Sequence, residues 1–239
     1  MIWLWVLLAW NLARPLPGFA DSLQQRGAWY HAITEYRRQL FFGVGDSLEA
    51  LQGIARAYEA RGKRAWALRA WGEVNYRAPS PEVRHHMARL LLEQERPREA
   101  LALLFGDTSR TGRALRAVAR GLEGAYPAAR DSLQQLGLKV PALPSPTLLA
   151  VVSWGLPGLG FLLLGEPIQG LSSLAAQIGS VAWAGWLLRR RAYADAASVA
   201  LTFTLRFYVG GRASLRRLYR ERTRRFLLQV LHRLPQAEP

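Results

Sequence analysis

Two long runs without a charged side chain constrain this chain more than any other feature. Residues 147–164 and 167–188 hold 18 and 22 uncharged, mostly apolar residues, although the protein has 32 basic and 17 acidic residues and a net charge of +15. A helix needs about 20 such residues to cross the roughly 30 Å hydrocarbon core of a bilayer. The two runs therefore predict membrane-spanning helices. A third candidate, 192–209, is weaker because it contains Asp195 and Arg206.

A proline-rich segment, 138–147, separates these runs from the more polar residues that precede them. It contains three prolines, and prolines at this spacing disfavour helix and form a semi-rigid extended link. We therefore expect a domain boundary at this segment. The predicted membrane domain follows at 148–210, and a basic amphipathic tail at 211–239.

An alanine recurs in register in four units within residues 21–137, and in three of them a glycine lies five residues before it. Successive alanines of the pattern are separated by 35, 33 and 29 residues, and an amphipathic helical segment precedes each later unit. Small residues let paired helices approach closely, and each helical hairpin exposes an apolar face that only the next hairpin covers. The sequence therefore predicts stacked helical hairpins. Their packing positions are Gly27, Ala32, Gly62, Ala67, Ala100, Gly124 and Ala129.

The repeats resemble the tetratricopeptide family, in which a helical hairpin of about 34 residues is the repeating unit. They share its turn glycine, its small residue where two helices touch, and its aromatic residue at Tyr36 or Trp71. The resemblance implies an all-α fold, a tetratricopeptide-like helical-hairpin solenoid followed by a small transmembrane helical domain. It also implies a concave face for a partner segment. Aromatic residues at helical spacing more often belong to the core, so no binding residue is assigned to the solenoid.

The first apolar run is rich in glycine, and the second carries a stripe of small residues. Inside a bilayer, helices gain nothing from hydrophobic association and pack through close contacts between small residues. The positions expected to pack membrane helices are Ser153, Pro157, Gly158, Gly160, Gly165, Gly170, Ser172, Ala176, Ser180 and Ala184.

The stretch SWGLPGLGFLLLGEPIQG, residues 153–170, resembles the PGxGQ-type motif of a group of small bacterial membrane proteins. The stretch FYVGGRASLRRLY, residues 207–219, resembles a later segment of the same group. Phe161 stands where that group usually has glutamine, and Leu163 where it usually has an aromatic residue. The resemblance implies a membrane protein, often with a signal peptide and repeats of this kind, and it implies no biochemical activity.

The N-terminal segment, 1–20, is typical of a secretory signal peptide or an N-terminal anchor. Its apolar run is followed by small residues at Gly18 and Ala20. With a cleaved signal and three spans, the repeats lie on the exported side of the bacterial inner membrane and the arginine-rich tail lies inside. If the third segment fails to cross, the triplet 189–191 and the tail share one side. That side is cytoplasmic only if the repeats are cytoplasmic or the first segment does not span.

The tail is predicted to form one helix over 212–234, with an apolar side among arginines. Such a helix can lie in the headgroup layer of a membrane. Its membrane-surface residues are Arg216, Arg217, Arg220, Arg224 and Arg225. The expected partners are anionic lipid headgroups rather than nucleic acid, because the tail follows membrane segments directly and no nucleic-acid-reading motif is present.

No pattern typical of catalysis or metal binding occurs. The chain has no cysteine, its four histidines lack metal-binding spacing, and phosphate-binding and nucleophile motifs are missing. We therefore expect no enzyme activity, catalytic residue, metal, cofactor or small-molecule ligand. The preferred function is a membrane-anchored scaffold whose repeats hold a protein partner. The alternatives are a small membrane enzyme or transport component with regulatory repeats, and a basic nucleic-acid-binding protein.

Overall fold

Every regular element that the computed structural model describes is helical, which confirms the predicted all-α class. The description covers residues 15, 16, 18–155 and 158–234. By their contacts the residues divide into two compact units. Unit 1 comprises residues 1–123 with 231–239, and unit 2 comprises residues 124–230.

The described residues of unit 1 form a series of seven helices in which each helix contacts the next, and the fifth also contacts the seventh. The helices are α1 (Phe19–Gln25), α2 (Trp29–Phe42), α3 (Ser47–Ala60), α4 (Arg64–Arg77), α5 (Pro81–Glu93), α6 (Pro97–Leu103) and α7 (Arg110–Leu122).

The connections between successive hairpins of unit 1 are capped by side chains. Asp46 accepts a hydrogen bond from the backbone N–H of Leu48 at the start of α3. Ser80 and Ser109 do the same for α5 and α7. Such caps satisfy N–H groups that have no partner inside the helix, which fixes where each of these helices begins.

The connections within hairpins use backbone hydrogen bonds alone. At the α1–α2 turn, Gly27 N–H donates to the Gln24 carbonyl and Ala28 N–H to the Leu23 carbonyl, which is a Schellman turn with Gly27 at a φ of 74°. Five further turns repeat this hydrogen-bond pair. Their positive-φ residues are Gly62, Glu95, Gly137, Gly165 and Arg191, and the last three lie in unit 2.

A small buried residue lies five positions after five of these six turn residues, the exception being Gly137. The small buried residues are Ala32, Ala67, Ala100, Gly170 and Ala196. Because the second helix begins right after the turn, its first inward-facing position lies against the preceding helix, and a small side chain permits close packing there. Of the remaining predicted packing positions, Gly124 has a φ of 112° and Ala129 is buried.

Tyr36 fills the centre of the first hydrophobic cluster in unit 1. Its ring lies against Gly53, and its hydroxyl donates to Asp21 Oδ1 at 2.6 Å and to Gln24 Oε1 at 2.9 Å. Burial and the Asp21 carboxylate raise the pKa of Tyr36 well above its usual range. Trp71 is 4 % exposed and belongs to the second hydrophobic cluster of unit 1. Both aromatic residues predicted from the repeats, Tyr36 and Trp71, are therefore core residues.

Unit 2 contains six helices and one π-helical turn. They are α8 (Tyr126–Gln135), α9 (Pro146–Gly155), α10 (Leu159–Leu163), α11 (Pro167–Arg189), α12 (Tyr193–Val199), the π turn (Ala200–Thr204) and α13 (Leu205–Arg233). Helix α10 contacts both α9 and α11, and α11 also contacts α12 and the π turn.

The division between units differs from the boundary predicted at 138–147. The Tyr126 ring meets the Tyr219 ring edge-on at 6.4 Å, and the Tyr126 hydroxyl donates to the Pro141 carbonyl at 2.9 Å. These contacts join α8 and the proline segment to α13. By its contacts the proline segment belongs to unit 2, with Val140 as its buried residue.

The first predicted span also differs from the structure. Helix α9 ends at Gly155 and α10 covers only five residues, so no described helix runs through 147–164. The predicted third segment lies in α12, the π turn and the start of α13, which continues to Arg233 as the helix predicted for the tail. Of the N-terminal signal prediction, residues 1–14 and Pro17 lie outside the described residues. Ala20, its last residue, is in α1 and fully buried.

We predict that Glu95→Gly stabilises the protein by about 1 kcal/mol. Glu95 has a φ of 60° at a turn position where four of the other five residues are glycine, and glycine adopts that region without steric cost. Thermal unfolding of the full chain in mild detergent, followed by circular dichroism, measures the change.

The matched control is Gly62→Ala. No atom lies within 4 Å of a Cβ at Gly62, so its φ of 67° alone is expected to cost about 1 kcal/mol. Equal stability of Glu95→Gly and the parent would show that the turn at Glu95 is not strained.

Candidate membrane interface

Helix α11 exposes most of its apolar surface. It is the one described helix long and apolar enough to cross a membrane, and only 6 % of its most apolar stretch is buried within the chain. Its exposed large side chains are Ile168, Leu171, Ile178, Val181, Trp183, Trp186 and Leu188. Water-soluble monomers rarely expose a continuous apolar surface of this kind, which marks an interaction site for lipid or protein.

The predicted glycines bring α10 directly against the first turns of α11. A Cβ on Gly158 would lie 2.6 Å from the Gly170 carbonyl oxygen and 2.7 Å from Leu174 Cγ. A Cβ on Gly170 would in turn lie 2.7 Å from Leu162. The two backbones therefore meet without a side chain between them. Pro157, the proline of the same motif, lies outside the described residues.

Ser153 and Gly160 form the contact between α9 and α10. A Cβ on Gly160 would overlap the Ser153 hydroxyl and lie close to Leu215 of α13. Around this contact is the apolar cluster of unit 2, which consists of Leu149, Phe161, Leu164, Leu215 and Tyr219. Ser153 and Tyr219 are more than nine-tenths buried, and neither hydroxyl has a hydrogen-bond partner among the described residues.

An ion pair joins the start of α11 to α13. Arg222 Nη2 donates to Glu166 Oε1 at 2.8 Å, and both side chains are about one-third exposed. Gly165 lies under the same guanidinium, since a Cβ there would be 3.6 Å from Arg222 Nη1. The sequence does not identify this pair, because 56 residues separate Glu166 from Arg222 and no local pattern links them.

The predicted stripe of small residues winds around α11. Steps of four residues rotate by about 40° more than one full helical turn, so the stripe leaves the inner face. Ser180 is buried, Ala176 and Ala184 are half-buried, and Ser172 is exposed. Gly170, two residues earlier, is buried in its place.

The predicted membrane-surface arginines all lie on the exposed side of α13. They are Arg216, Arg217, Arg220, Arg224 and Arg225. The opposite side of the helix is buried through Leu215, Tyr219 and Thr223. Helix α13 therefore presents a continuous basic face to its surroundings, with Glu221 as the acidic residue among the five arginines.

Unit 1 has a separate exposed group, which we call the aromatic–arginine surface: Tyr30, Arg37, Tyr58, Arg61 and Trp66. The Arg61 guanidinium carbon lies 3.6 Å from the centre of the Tyr30 ring, and the Tyr58 and Trp66 rings are stacked at 6.0 Å. Arg37 donates to the Tyr58 hydroxyl at 2.9 Å. Tyr30 and Trp66 remain 58 % and 53 % exposed. Trp, Tyr and Arg are the residues that dominate protein-binding hot spots.

A buried polar cluster in unit 1 contains serine, histidine and aspartate. His85 Nε2 lies 2.5 Å from Asp107 Oδ2 and 3.4 Å from the Ser109 hydroxyl. A catalytic relay needs the carboxylate and the nucleophile on different nitrogens of the imidazole ring. Here both partners share Nε2, and the Ser109 hydroxyl accepts from Gly112 N–H as the cap of α7. The cluster therefore joins α5 to the start of α7.

Asp107 is held in its charged form by this cluster. Burial alone raises its pKa, but hydrogen bonds from the His85 ring and from Ser109 outweigh burial and lower the pKa of Asp107 to about 2. Over the residues described, no group of three histidine or acidic side chains is arranged to hold a metal ion.

No protein-family model, curated protein or solved structure matches this chain.

We predict that Gly158→Ala destabilises the protein by about 2–4 kcal/mol. The new Cβ would strike the Gly170 carbonyl, which belongs to the backbone and cannot rotate away, and a φ of 108° is strained for alanine. Thermal unfolding in detergent measures the loss.

The control is Gly179→Ala in the middle of α11, where no atom lies within 4 Å of a Cβ. Alanine is expected to stabilise that helix by about 0.5–1 kcal/mol. Equal effects at Gly158 and Gly179 would contradict the close approach of α10 and α11.

We predict that Asp107→Asn lowers the free energy of unfolding by about 2 kcal/mol at pH 7. The folded-state pKa of about 2 is below the usual value of 3.8. The stabilisation is therefore complete above about pH 4 and lost as the pH falls toward 2. The variant and the parent should converge over that window in denaturant unfolding curves. A difference that stays constant from pH 7 to pH 2 would contradict the assignment, and exposed Asp131→Asn is the control.

Proposed function

We propose that this protein is a membrane-anchored scaffold, in which unit 2 is inserted in a lipid bilayer and the hairpins of unit 1 hold a protein partner without any chemical step. The observation that carries the proposal is the exposed apolar surface of α11. In water, a protein partner would have to cover this surface along the whole helix, whereas the hydrocarbon core of a bilayer covers it directly.

The role of unit 1 is proposed from its surface. The aromatic–arginine surface is built on α2, α3 and α4, so its side chains are held by packed helices, and large aromatic residues lose little conformational entropy on binding. Its two arginines favour a partner segment that is acidic or that presents its own aromatic rings. The hairpin architecture of the tetratricopeptide family is proposed on the same grounds, from the turn and the small residue that follows it.

The test is photo-crosslinking in bacterial cells that express the full chain. A photoreactive phenylalanine analogue at Tyr30 or Trp66 is expected to give one discrete protein adduct, which remains in the membrane fraction after alkaline extraction. Arg61→Ala should reduce the adduct about tenfold, as expected for a hot-spot side chain.

The controls are the same analogue at Tyr76 and Phe105, which are 85 % and 90 % exposed and lie outside the aromatic–arginine surface. Equal adducts at the control positions would contradict the partner surface. Recovery of the protein in the soluble fraction would contradict membrane anchoring.

A further inference from the structure

Helix α11 and the helices that follow it keep a constant antiparallel register. The Trp183 and Phe203 rings lie 5.9 Å apart near one end, and Glu166 and Arg222 form their ion pair at the other. Between these contacts the chain covers 17 residues of α11 and 19 residues of the returning helices. Similar numbers are what two helices with the same rise per residue require. The returning helices therefore run antiparallel to α11 between these two contacts.

Helix α9 lies antiparallel to α13, beside its first half. Leu149, near the start of α9, shares an apolar cluster with Tyr219. The Trp154 ring, near the end of α9, has its centre 5.7 Å from the Arg212 guanidinium. Moving forward along α9 thus corresponds to moving backward along α13, from its middle toward its start.

Helix α10 runs the opposite way. Gly160 lies against Leu215, and Gly165 lies under Arg222. The segment formed by α9 and α10 therefore begins near Tyr219 and ends near Arg222, which lie one turn apart on α13. Helices α9 and α10 are the two arms of a hairpin whose ends lie together.

The hairpin reaches only part of the way along α11. Gly158 contacts Leu174, which is eight residues after Glu166 and about 12 Å along the helix axis. The 23 residues of α11 extend about 34 Å. Apolar segments of 10–14 residues are typical of re-entrant elements, which are tolerated in a membrane where their irregular backbone is buried in protein. Gly158 is buried in this way.

We propose that unit 2 crosses the bilayer twice, through α11 and through α12 with the start of α13, while α9–α10 is a re-entrant hairpin. The proposal rests on the proposed membrane anchoring. It places Pro146, Glu166 and the basic face of α13 at one membrane surface, against anionic headgroups. No run of spanning length separates Pro146 from the hairpins of unit 1, so the repeats lie on that same side.

The charges at the two ends of α11 agree with this arrangement. The arginine triplet 189–191 lies at one end, with the Arg190 guanidinium 3.9 Å from the Trp186 ring, a pairing suited to the membrane–water interface. Of the five exposed arginines of α13, Arg224 and Arg225 lie past the Glu166–Arg222 pair at the other end, and the other three lie beside the first turns of α11. The larger cluster is expected in the cytoplasm, which assigns the repeats there as well. Cleavage of a signal after Ala20 would remove a buried core residue from unit 1.

The test uses single cysteines, since the chain has none of its own. The exposed positions are Ala142→Cys before α9, Gln169→Cys at the start of α11, Ala194→Cys after α11 and Gln229→Cys near the end of α13. A membrane-impermeant maleimide is applied to spheroplasts and, separately, to lysed cells. The cysteine-free parent is the labelling control.

Two crossings with a cytoplasmic repeat side predict labelling of Ala194→Cys alone in spheroplasts, and of all four variants after lysis. The reverse pattern, with only Ala194→Cys protected, would support the hairpin and overturn the cytoplasmic assignment. Labelling of Ala142→Cys and Ala194→Cys together, with Gln169→Cys and Gln229→Cys protected, would show three crossings and overturn the proposal while membrane anchoring stands. A protein released by alkaline extraction would instead overturn the anchoring itself.

Discussion

The fold of unit 2 depends on the approach of the Gly158 backbone to the Gly170 carbonyl. Because no side chain separates them, α10 lies directly along the first turns of α11 and cannot continue the direction of α9. Gly165 and Glu166 lie at the start of α11, where Arg222 contacts both. This ion pair and the contact between Gly160 and Leu215 join α10 and the start of α11 to α13.

The two units use their apolar residues in opposite ways. Unit 1 buries alanine, leucine and valine in clusters inside the hairpins, and its exposed aromatic side chains are few and scattered apart from the aromatic–arginine surface. Unit 2 buries a small cluster around Leu215 and Tyr219 and leaves the large side chains of α11 outside. Lipid tails are as apolar as leucine, so helices in a membrane gain no stability by covering such side chains. Their exposure is expected where the solvent is a bilayer.

Local rules in the sequence predicted the hairpins well. The amphipathic segment that precedes the second unit forms α3, since Asp46 caps its start and a glycine turn follows its end. The break in the first apolar run was not predictable in this way. The uncharged run 147–164 shows only the greatest length that a membrane helix could have there. The turn before α10 lies where Gly158 meets Gly170, and this contact requires α11 to be in place. The pairing of Glu166 with Arg222 and the distinction between buried Trp71 and exposed Trp66 likewise follow from tertiary packing.

The same turn closes hairpins in both units, at Gly27 and at Gly165 alike, and its two hydrogen bonds join backbone groups alone. Nothing in this closure depends on the medium around the hairpin, because the side chains that meet water or lipid lie elsewhere on the helices. Shape and solvent preference are therefore encoded by separate residues. A chain built in this way can form the same hairpin in water and in a lipid bilayer when only its outward-facing residues differ.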